Sequence, residues 1–131
     1  MEDKVKLLRQ WISEAKSAVF FGGAGVSTES GIPDFRSRDG LYSQTYKYPP
    51  EHMLSHGFYE EHTEEFFDFY RKKLIFPDAK PNTVHYALAR LEAEGHLAAV
   101  VTQNVDGLHT AAGSKVVYEL HGSGLRNYCT R

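Results

Sequence analysis

Cysteine is almost missing from this chain. Cys129 is the only one among 131 residues, so no internal disulfide can staple the fold. Long apolar runs are missing too. None approaches the roughly 20 residues that a membrane-spanning helix needs, and no basic-then-apolar leader opens the chain. The opening stretch MEDKVKLL reads as a mature soluble terminus, which makes the cytoplasm the expected compartment and leaves no membrane partner. Neither sign of charge prevails: 15 Lys and Arg face 17 Asp and Glu, for a net charge of −2 and an isoelectric point near 6.4. That balance excludes a nucleic-acid binder working through bulk electrostatics. Internal repeats and low-complexity tracts are also absent. The remaining composition, 41% hydrophobic and 24% charged, argues against intrinsic disorder and fits one small domain.

The apolar pattern alternates between helix and strand. Val5, Leu8, Trp11, Ile12 and Ala15 fall on one face of a helix. Ser17 to Phe21 reads as a buried strand that runs into Gly22-Gly23-Ala24-Gly25. From Val26 to Pro50 no period is clear, which predicts a long functional loop. Glu60 to Phe76 predicts a helix with a wide aromatic face, closed by Pro77 and Pro81. A further helix is predicted from the Asn82 N-cap to Gly95, with Val84, Ala87, Leu88 and Leu91 as its core stripe. A strand at 97–102, a short helix at 108–112 and a strand at 116–120 follow. This order predicts an α/β fold, a Rossmann-like parallel sheet with helices on both faces. Three strands make a poor sheet of that kind, and the chain reads as cut off after Arg131.

Several segments combine residues that chemistry uses, and each has a plainer reading. Gly23-Ala24-Gly25 after a strand lets backbone approach a pyrophosphate, or is simply a tight turn. The third glycine of the dinucleotide fingerprint is replaced by Thr28, which disfavours an ordinary nicotinamide dehydrogenase. Gly31-Ile32-Pro33-Asp34-Phe35-Arg36-Ser37 presents an aromatic, a carboxylate and a guanidinium together. It could equally be a surface turn with an Asp–Arg ion pair. Gln103-Asn104-Val105-Asp106 stands at the carboxyl end of a strand, where α/β sheets bind ligands, or caps the next helix. His121 has a pKa suited to a general base near neutrality, or is structural. The other six histidines form no evident metal site. Cys129 could open a Cys-x-x-Cys zinc knuckle or be a free buried thiol.

In this order these segments resemble the sirtuins, the NAD-dependent protein deacylases. The resemblance rests on Gly23-Ala24-Gly25-Val26-Ser27, Gly31 to Ser37, Thr102-Gln103-Asn104-Val105-Asp106-Gly107-Leu108-His109, Glu119-Leu120-His121-Gly122, and Cys129. The stretch from Glu64 through Lys80-Pro81-Asn82 to His85 is similar to the bacterial branch of that family.

The resemblance implies roles for matching positions. Gly23, Ala24, Gly25, Ser27 and Thr28 would line the pyrophosphate and ribose path of NAD. Phe35 would shield the ribosyl centre once nicotinamide leaves, and Arg36 would help fix the cofactor loop. Gln103 and Asn104 would hold the nicotinamide ribose, with Asn104 counted beside His121 as catalytic. Val105 and Asp106 would form the carboxamide pocket, and His121 would deprotonate a ribose hydroxyl. The implied activity is transfer of the acetyl group of acetyl-lysine on a protein substrate to ADP-ribose, with release of nicotinamide. Asp68, on the aromatic helix, would repel an acidic acyl group.

The implied division places the start of the NAD-binding domain at 1–122 and the beginning of a zinc module at 123–131, with Cys129 as its first ligand. One cysteine cannot hold a tetrahedral zinc. The 131 residues alone are therefore expected to be inactive or nearly so. The alternatives are a non-catalytic fragment that at most binds NAD weakly and a mono-ADP-ribosyltransferase.

Overall fold

The computed structural model describes residues 1–129. Its centre is a three-stranded parallel sheet in the order β1-β2-β3, formed by β1 (Val19–Gly22), β2 (Ala99–Thr102) and β3 (Val117–Glu119). Register pairs Phe20 with Val100 and Val100 with Val117, which gathers three apolar side chains on one face. Helix α5 (Thr83–Ala93) packs there through Leu88 and Leu91, with Leu97 completing the core. The short helix α6 (Leu108–Ala111) meets the same face, where His109 lies against Phe20.

The opposite face is bare. Val19, Phe21 and Tyr118 are 57%, 61% and 58% exposed. The expectation of helices on both faces is thus corrected, as is that of a fully buried first strand: α5 and α6 both fall on one side. Helix α1 (Glu2–Glu14) forms with Glu2 and Asp3 suited to its N-terminal dipole, yet it buries no residue. Its predicted apolar stripe (Val5, Leu8, Trp11) faces solvent. No helix is long and apolar enough to cross a membrane among the described residues.

A second core is built from aromatics. The helix expected over 60–76 is instead α3 (His56–Glu61) followed by α4 (Thr63–Lys73), with His62 at the break. Ser55 caps α3 by accepting the Phe58 N–H at 3.2 Å. The preceding turn, α2 (Pro50–Met53), begins on a proline, which suits the first helical position. Met53, Phe58 and Phe69 are buried together, with Tyr46, Tyr48, Leu54, Phe66 and Leu74 around them. The break at His62 lets both helices turn their aromatics into this cluster.

Within α5 the core stripe starts one residue later than expected. His85, Leu88 and Leu91 point inward, while Val84 and Ala87 face solvent. The capping box explains the shift. Asn82 Oδ1 accepts the Val84 N–H, and His85 Nδ1 accepts the Asn82 N–H, which draws His85 into the core. Near the other end of α5 the Glu92 carboxylate accepts the N–H groups of Lys115 and Val116, both at 2.7 Å, and so sets the start of β3. Of the segment expected to open a zinc module, Thr130 and Arg131 lie outside the described residues.

Candidate functional site

Three loops meet at the carboxyl ends of the strands. After β1 the chain winds into a 3-10 helix over Ala24–Ser30, closed by Gly31 at φ 83°, a left-handed value that suits glycine. After β2 come Gln103 to Asp106, and after β3 comes His121. Parallel register alone brings these loops to one edge.

Ser27 is fully buried and is the pivot. Its hydroxyl donates to Asp106 Oδ2 at 2.7 Å and accepts from Asn104 Nδ2 at 3.1 Å. Asp106 Oδ1 meanwhile accepts the N–H of Leu108, the first residue of α6, at 2.9 Å, while Gly107 rather than Asp106 holds the N-cap position. The Asn104 N–H donates to the buried Thr102 hydroxyl. These bonds fix Asn104 and Asp106 before any ligand arrives, at no further ordering cost on binding.

His121 is oriented by a backbone contact. Its Nδ1 lies 3.0 Å from the Gln103 carbonyl oxygen. A carbonyl only accepts, so Nδ1 is the donor in this contact, and in the neutral ring Nε2 is then the acceptor. The Gln103 N–H in turn donates to the Gly22 carbonyl, which ties this histidine to β1 through β2. The Gln103 side chain lies over Gly23, about 4.0 Å from where a Cβ would stand.

The loop with the aromatic–carboxylate–guanidinium trio is a closed unit. Leu41 and Tyr42 N–H groups donate to the Asp34 and Phe35 carbonyls at 2.8 Å each. Phe35 meets Tyr42 edge-on at 5.5 Å, and Arg36 lies over the same ring. Asp34 takes the hydroxyl and N–H of Ser37, which hold its carboxyl below the usual range. Among the described residues no hydrogen bond joins Phe35 or Arg36 to the Ser27 cluster. Gly40 closes the loop, since a Cβ there would stand 2.6 Å from Asp34 Oδ1 and 2.8 Å from the Phe35 carbonyl carbon. Gly40→Ala is therefore expected to cost about 1–3 kcal/mol, as overpacking does, and to open residues 34–42. A urea melt with amide exchange over that stretch checks it.

Two histidines behind the cluster have no role assigned from the sequence beyond their place in the motifs. His85 and His109 are buried with their rings 4.7 Å apart, and His85 Nε2 and both His109 nitrogens have no hydrogen-bond partner. Burial lowers the pKa of each, with the Asp106 charge opposing it. Both rings are neutral in the native protein, whereas the unfolded chain takes up their protons near pH 6.5. Stability is thus expected to be full above about pH 7 and to fall as pH drops below about 6.5, by up to about 1.4 kcal/mol per pH unit for each ring. Urea melts between pH 5 and 8 test this, and His109→Gln should flatten the profile. The signal missed in the sequence was the Asn82–His85 spacing, a capping box with histidine at the third helical position.

Other expected positions fall out differently. Thr28 turns its hydroxyl back to the Gly25 carbonyl at 3.0 Å. Ala24 is half-buried and Gly25 exposed, and a Cβ on Gly25 would meet nothing within 4 Å. Val105 holds the following segment, its carbonyl accepting the Gly124 N–H at 2.9 Å. Cys129 is exposed, which corrects the buried-thiol alternative. No group of three His, Cys, Asp or Glu residues able to hold a metal occurs among the described residues. A groove of about 810 Å³ lies elsewhere, between Tyr46–Tyr48 and α4, and shares no residue with the Ser27 cluster. Asp68 on its wall is paired with Lys72 at 2.8 Å, which offsets the repulsion expected of that carboxylate.

Comparison with known proteins agrees with this geometry. The chain is 64% identical to an NAD-dependent protein deacetylase of Clostridium acetobutylicum over 129 residues, which are 97% of this chain and 53% of that one. It is 45% identical to an NAD-dependent protein deacetylase of Staphylococcus aureus, over 98% of this chain and 54% of the relative. A Sir2 structure with a p53 peptide and NAD⁺ superposes with a TM-score of 0.81 at 45% identity, covering 97% of this chain and 49% of that one. Another, with a deacetylated p53 peptide and 3′-O-acetyl ADP-ribose, gives 0.88 at 44% identity over 97% and 50% of the two chains. The chain spans about half the length of the curated relatives it matches. Residues 23–131, which hold every loop of the site, match the Sir2 family profile, and the chain belongs to that family.

Proposed function

We propose that this chain supplies the NAD-binding and catalytic edge of an NAD-dependent protein lysine deacetylase, which moves the acetyl group of acetyl-lysine to ADP-ribose and releases nicotinamide. The observation that carries the reading is the His121 ring, held by the Gln103 carbonyl with Nε2 free beside the Ser27–Asn104–Asp106 cluster. The names of the relatives support the same reaction.

The donor set suits NAD. Open space over Gly25 leaves room for backbone to approach phosphates, and the hydroxyl, amide and carboxylate groups of the cluster match ribose hydroxyls and a carboxamide. Gly23, Ala24, Gly25, Ser27 and Thr28 take the phosphate side, Gln103 and Asn104 the nicotinamide ribose, and Val105 with Asp106 the carboxamide. When bound, NAD supplies an electrophilic ribosyl carbon. Phe35, stiffened by Pro33 and braced on Tyr42, excludes water from that centre. His121 Nε2 takes a proton from a ribose hydroxyl. Zinc does not fit the residues present, because exposed Cys129 offers one thiolate where a structural site takes four ligands.

The test is a chimera joining residues 1–131 to the remaining half of the Clostridium acetobutylicum relative. With NAD and an acetyl-lysine peptide it should release nicotinamide and O-acetyl-ADP-ribose in equal amounts. Label transferred from NAD to protein without deacetylation would instead favour ADP-ribosyl transfer, and no turnover would favour a non-catalytic segment.

A further inference from the structure

Besides accepting the Tyr86 N–H at its carbonyl, Asn82 makes four hydrogen bonds, and two of them leave its own helix. Its Oδ1 accepts the Val84 N–H at 2.9 Å and its N–H donates to His85 Nδ1 at 3.2 Å, which is ordinary helix capping. Its Nδ2 donates to the Val26 carbonyl at 2.7 Å and the Ser30 hydroxyl at 3.0 Å, 56 and 52 residues earlier in the chain. Both protons of the amide are thereby placed on the 3-10 helix of residues 24–30. Ser27, which holds Asn104 and Asp106, stands between those two contacts. A helix cap needs only an acceptor, so a serine or aspartate would cap α5 equally well. Capping therefore does not account for an amide here.

We propose that Asn82 is a positioning residue for the nucleotide loop: it bolts residues 26–30 to the N-terminus of α5, and through Ser27 sets where Asn104 and Asp106 stand. Three backbone bonds tie the two ends of the 3-10 helix to its own turns. Val26 donates to the Gly23 carbonyl, Gly31 to Thr28 and Ile32 to Ser27. The bolt transmits the rigidity of α5, which is packed on the sheet, to a loop with no apolar core of its own. The link to cofactor affinity rests on the NAD reading above, whereas the link to loop order does not.

Asn82→Asp and Asn82→Ser separate bolt from cap. Each keeps a side-chain acceptor for the Val84 N–H and removes the two donated bonds. In the 131-residue chain, amide exchange at Val26, Gly31 and Ile32 should speed up about tenfold in both variants, with the amides of α5 unchanged. An NAD titration of the chimera carrying either substitution should show a several-fold larger dissociation constant. Exchange at those three amides unchanged in both variants, or already unprotected in the parent chain, would overturn the proposal. Equal acceleration in α5 and the loop would overturn it too, since that is loss of the cap. If loop exchange accelerates in both variants while the chimera with an unaltered Asn82 shows no NAD binding, the bolt stands and the functional reading falls.

Discussion

His121→Ala in the chimera is expected to lower deacetylation by about 10²–10⁴-fold while leaving the dissociation constant for NAD within a few-fold. The asymmetry follows from the geometry. His121 is exposed, and among the described residues the one hydrogen bond of its ring is Nδ1 to the carbonyl of exposed Gln103, so removing the ring leaves no buried group unpaired. The binding cluster is held independently by Ser27. Because the orienting acceptor is a backbone atom, Gln103→Ala cannot disturb the tautomer. It should raise KM for NAD through loss of the amide over Gly23 and leave kcat within a few-fold. Nicotinamide release and O-acetyl-ADP-ribose formation, followed against pH for the three proteins, check both statements. Equal losses in kcat for His121→Ala and Gln103→Ala would show that the ring is not the base.

Much of the site was legible in the sequence because strand-end loops are named by their polar residues. Gln103 to Asp106 and His121 follow apolar strands, and parallel pairing brings such ends to one edge. Ser27 was legible as a loop residue but not as the pivot, since its partners are 77 and 79 positions away. Asp106 meets both the Ser27 hydroxyl and the Leu108 N–H, because a carboxylate has two oxygens. Phe35 and Arg36 were placed correctly on a turn, but Tyr42, which braces both, carries no local signal. The fold class was readable from the order of elements. The bare sheet face was not: alternation in a short parallel strand such as VFFG does not report whether a helix covers each side. The burial of His85 carried no signal of its own, because it depends on a partner, Asn82, three residues before it.

Phe58→Ala should cost about 3–5 kcal/mol, yet the loss should be confined to part of the molecule. Phe58 is wholly buried, with the rings of Tyr48, His52 and His62 at 5.2, 5.3 and 4.9 Å. Alanine there leaves a cavity that three helices border and that short α2 and α3 cannot collapse around. This aromatic core shares no residue with the core under the sheet. Amide exchange should therefore rise steeply across α2, α3 and α4 and remain slow in β2. The damage should nonetheless reach the site edge by one route. Gly124 packs under the Tyr70 hydroxyl of α4, 3.3 Å from where a Cβ would stand, while its N–H donates to the Val105 carbonyl. Loosening α4 thus frees residues 123–125, next to His121, before it disturbs Ser27. The expected signature is faster exchange at Gly124 with Val26 and Ile32 still protected. A uniform rise across both cores would instead mean that they melt as one cooperative unit.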